Sequence, residues 1–135
     1  MRIVISYHSG EPIYEQIKAQ LKAQVLSGDL AEGEALPSIR QLARDLKVSV
    51  ITTTRAYGDL ELEGFIATVP GKGCYVRAVN GDALKRQYAK ETREALAAAA
   101  RAAPLAGLTF EDLANTLDAL MRGEKQEEGY GEKRD

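Results

Sequence analysis

The sequence predicts an α+β chain that is mostly helical, and three observations carry that expectation. Apolar residues recur at helical spacing in five separate stretches, Ser, Thr, Gly and Pro sit where those stretches should start and stop, and one β-branched, aromatic segment folds about a Pro-Gly-Lys-Gly turn. At 135 residues there is room for one compact domain and an appendage, not for two domains with large cores. The expected division is a domain over residues 1–79, a helical segment over 80–122 and a disordered charged tail over 123–135.

The elements follow in order. Residues 2–5 (Arg-Ile-Val-Ile) read as a short strand or an arm. Pro12 suits the opening turn of a helix, and Ile13, Ile17, Leu21 and Val25 recur every fourth residue, with Tyr14 in the same stripe, until Gly28 ends it. That gives a first helix over about 12–27. Asp29, Gly33 and Pro37 mark a loop in which Leu30 and Leu36 anchor to the core. Ser38, with Gln41 three residues on, has the spacing of a capping box, so a second helix covers about 39–46 with Ile39, Leu42, Ala43 and Leu46 on one face. After Lys47-Val48, Ser49 caps a third helix that turns Thr53, Ala56, Tyr57 and Leu60 inward and stops at Gly64. Two short helices joined by so tight a turn form a helix-turn-helix. The strands Phe65–Val69 and Cys74–Arg77 then make a hairpin with Lys72 at its tip, the wing of a winged helix-turn-helix domain. Beyond Asn80-Gly81 a long helix is broken by Pro104 and Gly107, and a last helix starts at Thr109, with Asp112 at the capping spacing. The whole is expected to be a winged helix-turn-helix domain followed by a short two-helix C-terminal segment, whose apolar faces make it a candidate dimerisation segment.

Composition removes other classes. The single Cys74 excludes an intramolecular disulfide and a cysteine-rich zinc site, which suits a reducing cytosol. The start of the chain lacks a basic region followed by an apolar run, and no stretch approaches a membrane span, so a cytoplasmic protein without a membrane partner is expected. His8 is the only histidine, so a histidine metal site or a catalytic triad has little to build on. Gly71 and Gly73 sit in a hairpin without the Gly-Lys-Ser/Thr run of a phosphate loop. No catalytic residue, metal or cofactor is expected. Net charge is −2, which gives no global basic footprint, but residues 36–79 carry six basic against four acidic side chains, a local excess of +2.

From Pro12 to Val76 the chain resembles the GntR family of bacterial transcription regulators, and within it the YtrA-like subfamily. The resemblance lies in PIYEQIKAQL, SGDLAEGEALPSIRQLARDL, VSVITTTRAYGDLELEGFI and PGKGCYV, an ordered set covering about half the chain. It implies a homodimeric regulator that binds double-stranded operator DNA through the helix-turn-helix and dimerises through a short helical tail, with no room for the ligand-binding domain of larger subfamilies. An unidentified small-molecule effector stays open. The sequence departs from the family at Ser49-Val50-Ile51-Thr52, where similar members carry Asn-Pro-Asn-Thr or Ser-Arg-Thr-Thr.

The expected DNA-binding residues are Ser38, Arg40, Arg44, Ser49, Val50, Ile51, Thr52, Thr54, Arg55, Lys72 and Gly73. With Thr53 at the centre of the buried face of the third helix, Ile51 and Arg55 project opposite, flanked by Val50, Thr54 and Thr52. Arg55 suits a bidentate contact to guanine or a phosphate contact, the threonines donate to phosphates or bases, and Val50 and Ile51 suit a thymine methyl. The competing reading makes Val50 and Ile51 a hydrophobic staple that touches no DNA. Arg40 occupies the Pro-Ser-x-Arg position that, by resemblance, reaches the backbone or a base edge, and Ser38 caps the same helix end; for Arg40, Arg44 and Lys72 the alternative is a solvated side chain. Gly73 lets the wing backbone approach a minor groove. Leu84, Tyr88, Leu96, Phe110, Leu113, Leu117 and Leu120 form apolar faces expected to make the dimer, the alternative being that they fold back on their own domain. A winged-helix adaptor that binds only protein is the competing function.

Overall fold

The computed structural model describes residues 1–123. It contains helices α1 (Ile13–Ser27), α2 (Ile39–Leu46) and α3 (Val50–Leu62), strands β1 (Ile66–Val69) and β2 (Gly73–Val76), and helices α4 (Gly81–Ala102) and α5 (Phe110–Met121), with a 3-10 turn at Ala103–Ala106. The fold is mostly helical with a two-stranded wing, as the sequence predicts. Two compact units divide the chain: residues 1–5 with 12–89, and residues 6–11 with those from 90 onward. The first unit therefore runs ten residues past the expected boundary at 79.

The core of the first unit is built from one stripe of each helix. Ile17, Leu21 and Val25 of α1 meet Leu42 and Ala43 of α2 and Ala56, Tyr57 and Leu60 of α3, and Phe65, Ile66 and Val76 close the layer from the wing. Leu30 and Leu36 are buried, the anchors expected of the loop. Burial of these side chains drives the packing, the Val, Leu, Ile and Phe residues contributing roughly 1.5–3 kcal/mol each and the alanines less. Two polar groups enter the core with partners. The Thr53 hydroxyl donates to the carbonyl of Ser49 at 3.1 Å, and the Tyr57 hydroxyl donates to the carbonyl of Pro37 at 2.7 Å. Burial pushes the Tyr57 phenol well above its ordinary range, so it stays a neutral donor.

The turn between α2 and α3 rests on Lys47, which takes a left-handed conformation at φ 58° and donates its amide to the carbonyls of Ala43 and Arg44. It is the only non-glycine residue with positive φ among the described residues. Ser38 and Ser49 accept the amides of Gln41 and Thr52, each at 3.0 Å. The capping box expected at Ser38 is only half made. The Gln41 side chain turns along α2 instead, donating to Asp45 and accepting from Arg44, each at 2.7 Å. At Thr109 both halves form, with Asp112.

The hairpin pairs Ile66 with Val76, Ala67 with Tyr75, Thr68 with Cys74 and Val69 with Gly73, antiparallel. Its other edge is covered by residues 33–36, which the sequence suggested were loop alone. Gly33 donates to Val76, Val76 to Glu34 and Leu36 to Cys74 through the backbone, at 2.8–3.0 Å. These backbone hydrogen bonds, with an isolated bridge between Ala35 and Tyr75, cover the outer edge of β2. Residues 2–5 form an arm rather than a strand, held on α1 by two side-chain amides: Gln20 exchanges both its hydrogen bonds with the backbone of Val4, and Gln24 does the same with Arg2.

In the second unit, α5 exposes Phe110, Leu117, Leu120 and Met121, and Leu96 of α4 and Leu105 are exposed as well. Ala103 is buried there, and the Ser6 hydroxyl donates to the carbonyl of Gly123 at 3.1 Å. The expected tail from 123 onward lies, beyond Gly123, outside the described residues.

Candidate nucleic-acid interface

Helix α3 is amphipathic about its own axis, and that fixes which side chains face outward. With Thr53, Ala56, Tyr57 and Leu60 committed to the core, Val50, Ile51, Thr54 and Arg55 are left on the surface. Ile51 is 82% exposed and Val50 42%, so neither serves as a staple over the core; the helix starts instead with the Ser49 cap. Thr52 is half-buried, and its hydroxyl accepts from that of Ser49 at 2.9 Å. Ser38 and Arg40 are exposed at the start of α2, where Arg40 makes no ion pair among the described residues. Arg44 is exposed but hydrogen-bonded to Gln41.

At the wing tip the turn is closed by the amide of Lys72 donating to Val69 at 2.9 Å, and the Tyr75 hydroxyl donates to the carbonyl of Lys72 at the same distance. Gly71 and Gly73 both have positive φ, 76° and 112°, a backbone that side chains rarely adopt. The turn thereby projects the Lys72 side chain into solvent. The wing is tied to α3 through Glu61, whose carboxylate accepts from both the amide and the hydroxyl of Thr68.

Helix α3 is fixed on α1 by a ladder of side chains that the sequence reading missed. Lys18 is only 9% exposed, and its ammonium lies 3.1 Å from Asp59 and 3.0 Å from Glu63; Lys22 pairs with Glu63 too. Burial alone would lower the Lys18 pKa, but hydrogen bonds to Glu63 and Asp59 outweigh it and hold the amine above its ordinary range. Glu63 shows the mirror image: burial raises its pKa, and the hydrogen bonds from Lys22 and Lys18 bring the net value below the ordinary one. Lys22 also lies over the rings of Phe65 and Tyr88, at 5.6 and 5.7 Å from their centroids. The signal was present as cations every fourth residue on one helix and carboxylates every fourth on another, but spacing within a helix does not say which helix it meets. The outermost rung is Arg55, expected to stand free, whose guanidinium lies 3.8 Å from the centroid of the Tyr14 ring.

Two of the seven expected dimer residues are spent on the first unit itself. Leu84 packs against the core and Tyr88 against Lys22, so α4 continues the domain for its first turns. Of the others, Leu96, Phe110, Leu117 and Leu120 are exposed, Phe110 by 84%, and Leu113 is half-buried.

The order of these elements is shared with known proteins. The profile of the bacterial regulatory proteins of the gntR family matches residues 13–76. Over 117 residues the chain is 30% identical to the uncharacterized HTH-type transcriptional regulator YhcF of Bacillus subtilis (strain 168), covering 87% of this chain and 96% of that one. The chain belongs to the GntR family. It is 43% identical over 74 residues to the HTH-type transcriptional repressor YtrA of the same organism, which places it among the YtrA-like members; that match covers 55% of this chain and 57% of YtrA. Among solved structures it is similar to a transcriptional antiterminator from Listeria monocytogenes EGD-e, with a TM-score of 0.61 and 32% identity over 96% of this chain and 98% of that one. As a GntR-family member it is a transcription regulator and not an enzyme. No helix among the described residues is long and apolar enough to cross a membrane.

Proposed function

We infer that this protein is a cytoplasmic repressor that binds a two-fold symmetric operator in double-stranded DNA as a homodimer. The observation that carries the reading is the outer face of α3: Val50, Ile51, Thr54 and Arg55 are exposed on a helix whose other side is fully committed to the core. A major groove offers thymine methyls to the two exposed aliphatic residues and guanine edges to the arginine beside them. Arg40 and Lys72 supply phosphate contacts on either side, and Ser38 and Ser49 place helix N-termini toward the backbone. The exposed Leu96, Phe110, Leu117 and Leu120 supply an apolar face for the second subunit.

The test selects duplexes from a randomised pool with the full chain and titrates the selected duplex by fluorescence anisotropy. Arg40→Ala and Arg55→Ala should each weaken binding; the melting temperature should change little in Arg40→Ala, whose side chain is exposed without an ion pair, and fall modestly in Arg55→Ala, which loses the contact with the Tyr14 ring. Failure of the protein to enrich any duplex, or unchanged affinity in both variants, overturns the reading. For the dimer, sedimentation of Phe110→Glu should show a shift toward monomer relative to the wild type.

A further inference from the structure

Along the line where α1 meets α3, residues 14, 18 and 22 of one helix face residues 55, 59 and 63 of the other. Two rungs are ionic, with Lys18 on Asp59 and Glu63, and Lys22 on Glu63. The third, at the N-terminal half of α3, differs in kind. Arg55 lies over Tyr14, its guanidinium carbon 3.8 Å from the ring centroid, and it forms no ion pair with any described residue.

That difference has a chemical consequence. A carboxylate partner would occupy the N–H edge of the guanidinium, the edge that forms bidentate bonds to a base or phosphate. A ring beneath the plane covers only a face and leaves the edge available. It also restricts the rotamers of a long side chain before any ligand arrives, so less freedom is lost when the edge engages. Arg55 is exposed and stands one turn after Ile51 on the outer face of α3.

We propose that Tyr14, a residue of α1 outside the helix-turn-helix, is a positioning residue for DNA recognition: its ring holds the Arg55 guanidinium edge outward toward the duplex. The role rests on the DNA-binding reading above, and the experiment separates the two.

In the full chain, titrated against a duplex selected from a randomised pool by the wild type and against its scrambled counterpart, Tyr14→Phe should bind the selected duplex within about twofold of wild type, because the ring face is kept. Tyr14→Leu should lose about five- to thirtyfold on the selected duplex, the scale of one cation–π contact in each of two half-sites, and less on the scrambled one. In an Arg55→Ala background Tyr14→Leu should cost nothing further. Equal losses with and without Arg55, or no loss at all, overturn the role. Pentafluorophenylalanine at position 14 keeps the size of the ring while reversing its charge distribution, so it should weaken binding as Leu does with the fold intact; wild-type affinity there also overturns it. An NMR spectrum of the DNA-free protein supplies the second readout: the Arg55 side-chain protons should be shifted upfield by the ring, and the shift should vanish in Tyr14→Leu. Selective DNA binding without that shift defeats the positioning role alone. The shift without enrichment of any duplex defeats the DNA-binding reading, and the role falls with it.

Discussion

Replacing Lys18 by Met keeps the aliphatic stem in its slot between α1 and α3 and removes only the charge. Breaking a buried ion pair by deleting one partner costs about 3–5 kcal/mol when the remaining charge is stranded. Here the stranded carboxylates are not fully buried: the side chains of Asp59 and Glu63 keep 29% and 35% of their surface, and Glu63 retains Lys22. The expected cost is therefore about half, roughly 2 kcal/mol. With a urea slope of about 1–3 kcal/mol per molar, the midpoint of unfolding should fall by about 1 M. Tyrosine fluorescence or circular dichroism reports it. The pH dependence sharpens the test. Glu63 has its pKa lowered in the folded state, so it contributes stability that is present above its ordinary value of 4.5 and lost as pH falls through the folded value. In Lys18→Met that lowering shrinks, and the wild-type and variant stabilities should converge between pH 7 and pH 3. Lys18 itself, raised above its ordinary 10.5, contributes stability that is full below that pH and is lost only as pH climbs through the folded value. A variant as stable as wild type at pH 7, or a stability gap that stays constant down to pH 3, would refute the reasoning.

Lys47→Gly should raise stability by about 0.5 kcal/mol, because relief of a left-handed conformation worth about 1–2 kcal/mol exceeds the entropy cost of glycine; Lys47→Val should lower it, and thermal melts distinguish the two. Gln20→Ala with Gln24→Ala should abolish hydrogen-exchange protection at the Arg2 and Val4 amides while leaving the core amides of α1 unchanged. Lys72→Ala should weaken selected and scrambled duplexes alike and reduce the slope of log K against log salt by about one per bound subunit; an unchanged slope places the wing tip away from DNA.

The parts of the fold that were legible in the sequence are those written within one element. The fourfold recurrence of Ile13, Ile17, Leu21 and Val25, the caps Ser38, Ser49 and Thr109 and the Pro70–Gly73 turn each depend on neighbours a few residues away, and each is found as expected apart from the Gln41 half of the box at Ser38. Relations between elements were not legible. Gly33 to Leu36 carries no strand pattern of its own and bridges to β2 only because β2 offers an unpaired edge. Tyr14 was placed correctly in the stripe of α1, yet nothing in its spacing says that Arg55 lies over it. Leu84 and Tyr88 look like the leading end of one long apolar face, and only the position of Lys22 and the core shows that this end belongs to the first unit. At the interface the outward residues of α3 followed from its inward ones, because a helix with one buried face leaves no choice about the other.

The two glutamines that hold the N-terminal arm join two lattices of different pitch. Arg2 and Val4 are two residues apart in an extended chain, a repeat of roughly 6.6 Å, and Gln24 and Gln20 are four apart in a helix, a repeat of about 6 Å. A mismatch of roughly half an ångström is absorbed by the rotamers of two side chains, but it accumulates with every added rung, so such a clasp is self-limiting in length. It also reads nothing: both amides address peptide groups alone, so the identities of residues 2 and 4 are free as far as the clasp is concerned. Selection can therefore rewrite the outward side chains of the arm, Arg2 and Val4, without loosening its grip on the helix.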